Sequence, residues 1–148
     1  MFDISTLEIT DTAKYHVTAA DGTEQFDDKG REVTITIAGP GTDKAMRAQH
    51  VRDEKQATRS VALLTGKSQK NAEEAKRVER AEFLAAITES FDNFTYGGKA
   101  GYEAYKALYL NPKLGHIADG VEKTFNDRGN FMPASSTNSP STSATSAG

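Results

Sequence analysis

Residues 33–42 read VTITIAGPGT, and this stretch divides the chain into its two structural halves. Val33, Ile35 and Ile37 alternate with Thr34 and Thr36, so an extended backbone carries one apolar and one polar face. Gly39-Pro40-Gly41 then breaks the pattern sharply. Toward the amino terminus, Tyr15, Val17 and Ala19 alternate in the same way with His16 and Thr18. Asp21-Gly22 and Lys29-Gly30 supply turn signals between the runs. Residues 12–41 are therefore expected to form an antiparallel hairpin or a three-stranded meander. An isolated hairpin is marginal in water, so it must cover a helix or pair with another chain through its open edge.

On the other side of the break the period changes. Thr42 is a good helix cap, with Asp43 in the first turn where the helix dipole favours negative charge. A helix is predicted from 43 to 65, stopping at Gly66. Its centre, RAQHVRDEKQATR, is mostly polar, and apolar surface is limited to Ala45, Met46, Ala48, Val61 and Leu64. Such a helix is either a long arm or packs through one thin stripe. A second helix is predicted from Ser68 to about Phe91, with Phe83, Leu84, Ile87, Phe91 and Phe94 forming a dense apolar face. Gly97-Gly98 ends that segment. Tyr102, Tyr105, Leu108 and Tyr109 continue at helical spacing to Asn111-Pro112. A last helix over 113–128 carries Leu114, Ile117, Val121 and Phe125 on one face, a clean amphipathic signal.

The expected fold is α+β: an amino-terminal hairpin or meander (1–41), then a helical domain (42–132) of about four helices with its core in 83–131. Residues 133–148, PASSTNSPSTSATSAG, are uncharged and lack aromatic and large aliphatic side chains. Such a segment cannot offset its ordering entropy by burial, and an arm ordered only by a partner is expected.

Composition narrows the function classes. With 36% hydrophobic residues and a mean hydropathy of −0.60, one modest core is expected. A net charge of −3 and an isoelectric point near 5.6 speak against a general nucleic-acid site, which draws its energy from clustered Lys and Arg. The bases are interleaved with acids, as in EEAKRVER at 73–80, the pattern of a solvated helix face. The chain has no cysteine, so disulfides, thiolate metal sites and a cysteine nucleophile are excluded. No signal-peptide pattern and no membrane-spanning run are present, and a cytoplasmic protein without membrane partners is expected.

Chemistry-bearing constellations are sparse. His16, His50 and His116 fall on separate elements. His116 and Asp119, three residues apart, read as a surface polar pair. Asp27-Asp28-Lys29-Gly30 reads as a turn with solvated acids rather than an ion loop. Gly39-Pro40-Gly41-Thr42 lacks the Gly-Lys-Ser/Thr ending of a phosphate cradle and reads as a loop and helix cap. Neither a carboxylate in an apolar pocket nor a serine beside a rigid base is evident. No enzyme and no cofactor are expected.

Three stretches resemble a family of small tailed-bacteriophage proteins, the tail assembly chaperones. They are 83–98, FLAAITESFDNFTYGG; 105–110, YKALYL, before Asn111-Pro112; and 114–131, LGHIADGVEKTFNDRGNF. The amino-terminal plan is also similar, a short β region ending in a Gly-Pro turn and then a polar helix with Ala45, Arg47 and Ala48 near its start. Together these cover most of residues 12–131. Family members often carry tryptophan where Phe91 and Gly115-His116 stand here.

The resemblance implies binding without turnover: coating of a tape-measure protein and recruitment of tail-tube subunits in the host cytoplasm. Amphipathic helices would shield apolar helical surface of the client. The partner-binding candidates it suggests are Phe91, Phe94, Tyr96, Tyr102, Tyr105, Ile117, Val121, Phe125 and Phe131, weighed against a plain core role for each. The alternative is a virion component, such as a capsid-decorating or stabilising protein. It would use its hairpin and carboxy-terminal arm to lace subunits of the major capsid protein. Homo-oligomerisation is left open by either reading.

Overall fold

A computed structural model describes residues 1–66 and 72–133. The start predicted at Ser68 and the arm beyond Pro133 lie outside those residues. The architecture is α+β: a three-stranded antiparallel sheet packed against helices. The elements run β1 (Thr12–His16), β2 (Thr34–Ala38), α1 (Asp43–Leu64), α2 (Ala72–Ile87), β3 (Thr88–Asp92), α3 (Gly101–Leu110) and α4 (Gly115–Asn126). Short 3-10 turns occupy Ile4–Leu7, Pro112–Leu114 and Arg128–Phe131.

The alternation in 33–37 decides which face of the central strand is covered. Ile35 and Ile37 are fully buried. β1 pairs with one edge of β2, from Thr12 opposite Ala38 to His16 opposite Thr34. Between these strands the chain folds back on itself in two tight turns closed by Gly22 N–H to Ala19 C=O and Gly30 N–H to Asp27 C=O. Gln25 is bonded between Val17 and Val33, so this excursion is a narrow extension of the hairpin without a further strand.

The third strand comes from elsewhere. β3 pairs with the other edge of β2, with Thr34 opposite Asp92, Ile35 opposite Phe91 and an irregularity between Thr36 and Ile37. The helix predicted to Phe91 therefore ends at Ile87, and the sheet is not confined to residues 1–41. Two interactions favour the change at Thr88. Its hydroxyl donates back to the Leu84 carbonyl at 2.7 Å, and lies 2.7 Å from the Tyr109 hydroxyl in the core. A β-branched residue so bonded competes with helix continuation, and the open edge of β2 accepts the extended chain.

Asp92 closes the polar face of this sheet. Its Oδ2 accepts from the hydroxyls of Thr34 (2.8 Å) and Thr36 (2.6 Å) and from Lys14 Nζ (3.2 Å), while Oδ1 accepts from Ser90 (2.7 Å). Thr34 is buried as a result. Burial works to raise the Asp92 carboxyl, but the donors together outweigh it and hold the group below its ordinary value.

The apolar face packs against α2, α3 and α4. The carboxy-terminal half of α2 is the central piece, burying Ala81, Phe83, Leu84, Ala85 and Ile87. α4 buries Ile117, Ala118, Val121 and Phe125 and brings Gly120 against the Tyr15 ring. Phe131 then folds over the end of the sheet. It is fully buried, rests on Gly39, and its carbonyl accepts from Thr10 N–H (2.6 Å) and Thr10 Oγ1 (2.8 Å).

Candidate protein-binding surface

His16, His116, Asp119 and Asp27 are engaged in structural roles. Among the described residues no group of three or more His, Asp or Glu side chains is placed to hold a metal ion. His16 Nε2 lies 2.9 Å from the Gln25 carbonyl, and its ring packs edge-on to Phe26. The pairing read between His116 and Asp119 does not form. His116 Nε2 lies 3.1 Å from the Thr18 carbonyl, and Asp119 pairs with Arg80 on α2 at 2.5 Å. The turn read at Asp27–Gly30 forms, and Asp27 accepts from Lys29 N–H, Arg31 N–H and Arg31 Nε within it. The backbone donation from Arg31, helped by the guanidinium, lowers its pKa.

The surface that stands out is α1. Thr42 caps it by accepting from Ala45 N–H at 3.2 Å, as its sequence position suggested. Along the whole helix the thin-stripe expectation holds: only Ala45 and Ala48 are buried. Charge attaches the rest of the helix. Arg52 pairs with Glu122 (3.3 Å), Lys55 with Glu82 (2.5 Å) and Arg59 with Glu79. Arg52 also lies over the Phe83 ring, 4.9 Å from its centroid. The hydrogen bond to Glu82 raises the Lys55 pKa, and the same bond lowers that of Glu82. Arg59–Glu79 and Arg52–Glu122 are half-buried and Lys55–Glu82 is the most exposed of the three, so the outer part of α1 is held by polar contacts in place of an apolar stripe.

This mode of attachment leaves two features open. Toward the amino-terminal end of α1 lies a groove of about 410 Å³ between α1 and α2, floored by Ala48, Val51, Phe83 and Ala86 with Tyr102 at its mouth. Lys44, Arg47, Arg52 and Lys55 line it against Glu79 and Glu82. Toward the other end, Ala57, Thr58, Val61, Ala62 and Thr65 line an uncharged strip. Leu64, 86% exposed, stands at its edge, while Leu63, 62% exposed, projects from the opposite side of the helix.

The candidates named from sequence divide differently. Ile117, Val121, Phe125 and Phe131 lie in the core and present no surface to a partner in this conformation. Phe91 stacks on Phe94 at 4.5 Å between centroids and tilts against Tyr105 at 4.7 Å, all three half-buried at the edge of the core. The Tyr105 hydroxyl donates to the Glu89 carbonyl, and Tyr96 accepts from Asn111. Tyr102 alone of these candidates is exposed. The sequence reading had no place for Val51 or Leu63, nor for Phe2, Ile4 and Leu7 in the first turn of the chain. Their signal was simply large aliphatic and aromatic residues at positions that serve no buried stripe.

No protein-family model matches the chain, and neither a curated protein nor a solved structure does.

Proposed function

We propose that this chain is a non-catalytic assembly protein of a tailed bacteriophage, a tail assembly chaperone that holds helical segments of a tape-measure protein on the outer part of α1. The observation that carries the reading is a 22-residue helix with only two alanines buried, displaying Val61 and Leu64 one turn apart on a polar scaffold. Large exposed aliphatics in one strip mark a site for another apolar surface. An amphipathic client helix laid along the strip would bury them at both partners' gain. The resemblance of 83–98, 105–110 and 114–131 to phage chaperones supplies the identity of that client.

The test is co-expression with the tape-measure protein of the same genome, followed by affinity capture and by mass spectrometry of purified particles. Co-purification with the tape measure, loss of it in Val61→Asp/Leu64→Asp, and absence from particles are the expected results. Both substituted residues are exposed, so the fold should be retained. Stoichiometric presence in the particle would instead assign the chain to the virion, as a decorating or stabilising component.

A further inference from the structure

We infer that the groove between α1 and α2 receives the amino-terminal turn, Phe2 to Leu7, of a second copy of this chain. This goes beyond the chaperone reading, which uses the opposite end of α1, and it concerns the protein without a client.

The turn is built to be buried but covers nothing in its own molecule. Phe2, Ile4 and Leu7 are 72%, 74% and 61% exposed. Residues three apart eclipse in a 3-10 helix, so Ile4 and Leu7 share one side. The turn is fixed before any contact is made. Asp3 accepts from Ser5 N–H (3.0 Å) and Ser5 Oγ (2.9 Å), and Thr6 N–H donates to the Asp3 carbonyl. Such preorganisation lowers the ordering cost of docking. The turn and the residues after it carry Asp3, Glu8 and Asp11 and no side-chain cation.

The groove is complementary in both respects. Its floor is apolar, and its volume lies in the range that buries compact ligands, about 300–1,000 Å³. Its rim carries four cations against two carboxylates. Lys44, Arg52 and Lys55 already have carboxylate partners, whereas Arg47 has none among the described residues. An acidic residue brought in with the turn would supply that partner.

The chain's own turn is badly placed to do this. Thr10 is fixed to the Phe131 carbonyl, over Gly39. That anchor adjoins the side of α1 on which Met46 and Gln49 face Phe125 and Asn126. The groove opens on the other side, along Lys44, Arg47 and Val51. In its own molecule the turn lies clear of the groove, with Phe2, Ile4 and Leu7 all exposed. A second copy meets no such obstacle. The contact joins different surfaces of the two copies, so it is heterologous and propagates head to tail.

Sedimentation equilibrium of the full chain without any client tests the inference. A turn this small buries well under the ~1,200 Å² of a standard interface, so association on the order of 100 µM is expected and the series should run to about 1 mM. The average mass should rise with concentration and fall with added salt. Ile4→Asp/Leu7→Asp in the turn and Arg47→Glu/Val51→Asp in the groove should each weaken association at least ~10-fold. Mixed together, the two variants should form a 1:1 pair, since one retains an intact turn and the other an intact groove. Wild-type chain monomeric at 1 mM, association unchanged by either variant, or no pair in the mixture would overturn the inference. Each of those results leaves client capture on Val61 and Leu64 standing, because neither double variant alters that strip.

Discussion

Replacing Phe131 with alanine should be among the most damaging single changes in the molecule, although it lies only two residues from the end of the described chain. The ring is fully buried, and transfer of such a side chain out of water is worth ~1.5–3 kcal/mol. The cavity left behind adds to this, and Phe→Ala substitutions in cores cost ~3–5 kcal/mol. Collapse around this site is restricted. Phe131 C=O to Thr10 N–H (2.6 Å) and Gly39 N–H to Asp11 C=O (2.7 Å) hold three backbone segments in place around the ring. About 4 kcal/mol is therefore expected, or roughly 12 °C at ~3 °C per kcal/mol for a domain of this size. Urea unfolding followed by far-ultraviolet circular dichroism measures it. Met132→Ala is the control: its neighbour is 44% exposed and should stay within ~0.5 kcal/mol. A loss below ~1.5 kcal/mol for Phe131→Ala, or one equal to the control, would mean that the core closes without its last turn.

Three further outcomes follow from the same packing. Tyr109→Phe should cost ~1 kcal/mol in chemical unfolding, because Thr88 keeps its bond to Leu84 when the phenol is removed. Gly120→Ala places a methyl 2.4–2.5 Å from the end of the Tyr15 ring and should destabilise by ~1–3 kcal/mol. In a double-mutant cycle with Tyr15→Ala that loss should largely vanish. Asp92→Asn should flatten the acid limb of the stability profile. The folded pKa of Asp92 lies below the ordinary 3.8, so its contribution is complete above that value and is lost as pH falls through the folded one. Thermal melts from pH 7 to pH 2 should show the variant closing the gap to wild type at the acid end.

Local signals in this sequence were read correctly where the deciding partner was local. Thr42 caps a helix three residues ahead of it, and the alternation around Ile35 needs only its own strand to be recognised. The misread elements have distant partners. Phe83, Leu84, Ile87, Phe91 and Phe94 fit a helical period, yet Phe91 belongs to a strand because β2 offers an edge far back in the chain. His116 and Asp119 share a local spacing, but Thr18 and Arg80 claim them. In EEAKRVER, Glu73–Lys76 and Glu74–Arg77 are pairs along the helix surface, as read. Glu79 and Arg80 instead tie α2 to α1 and α4. The groove was hidden for the same reason: the charges of RAQHVRDEKQATR describe a solvated face until a second helix lies beside them.

The order of the strands has a consequence for how the chain reaches its native state. β2 cannot acquire its second neighbour until residues up to Asp92 are available, and Thr34 and Asp92 are 58 residues apart. Closing a flexible loop of that length is slow and carries an entropic cost. The pairs Lys55–Glu82 and Arg59–Glu79 show α1 and α2 running antiparallel, and Lys44 Nζ ends 3.5 Å from the Thr88 carbonyl and 3.3 Å from Glu89. Once the two helices have zipped, β3 is delivered to β2 across a gap of a few residues. By the logarithmic dependence on loop length this lowers the closure cost by about 2 kcal/mol. The ion pairs between the two helices thereby act as a clasp that shortens the chain before the sheet is complete.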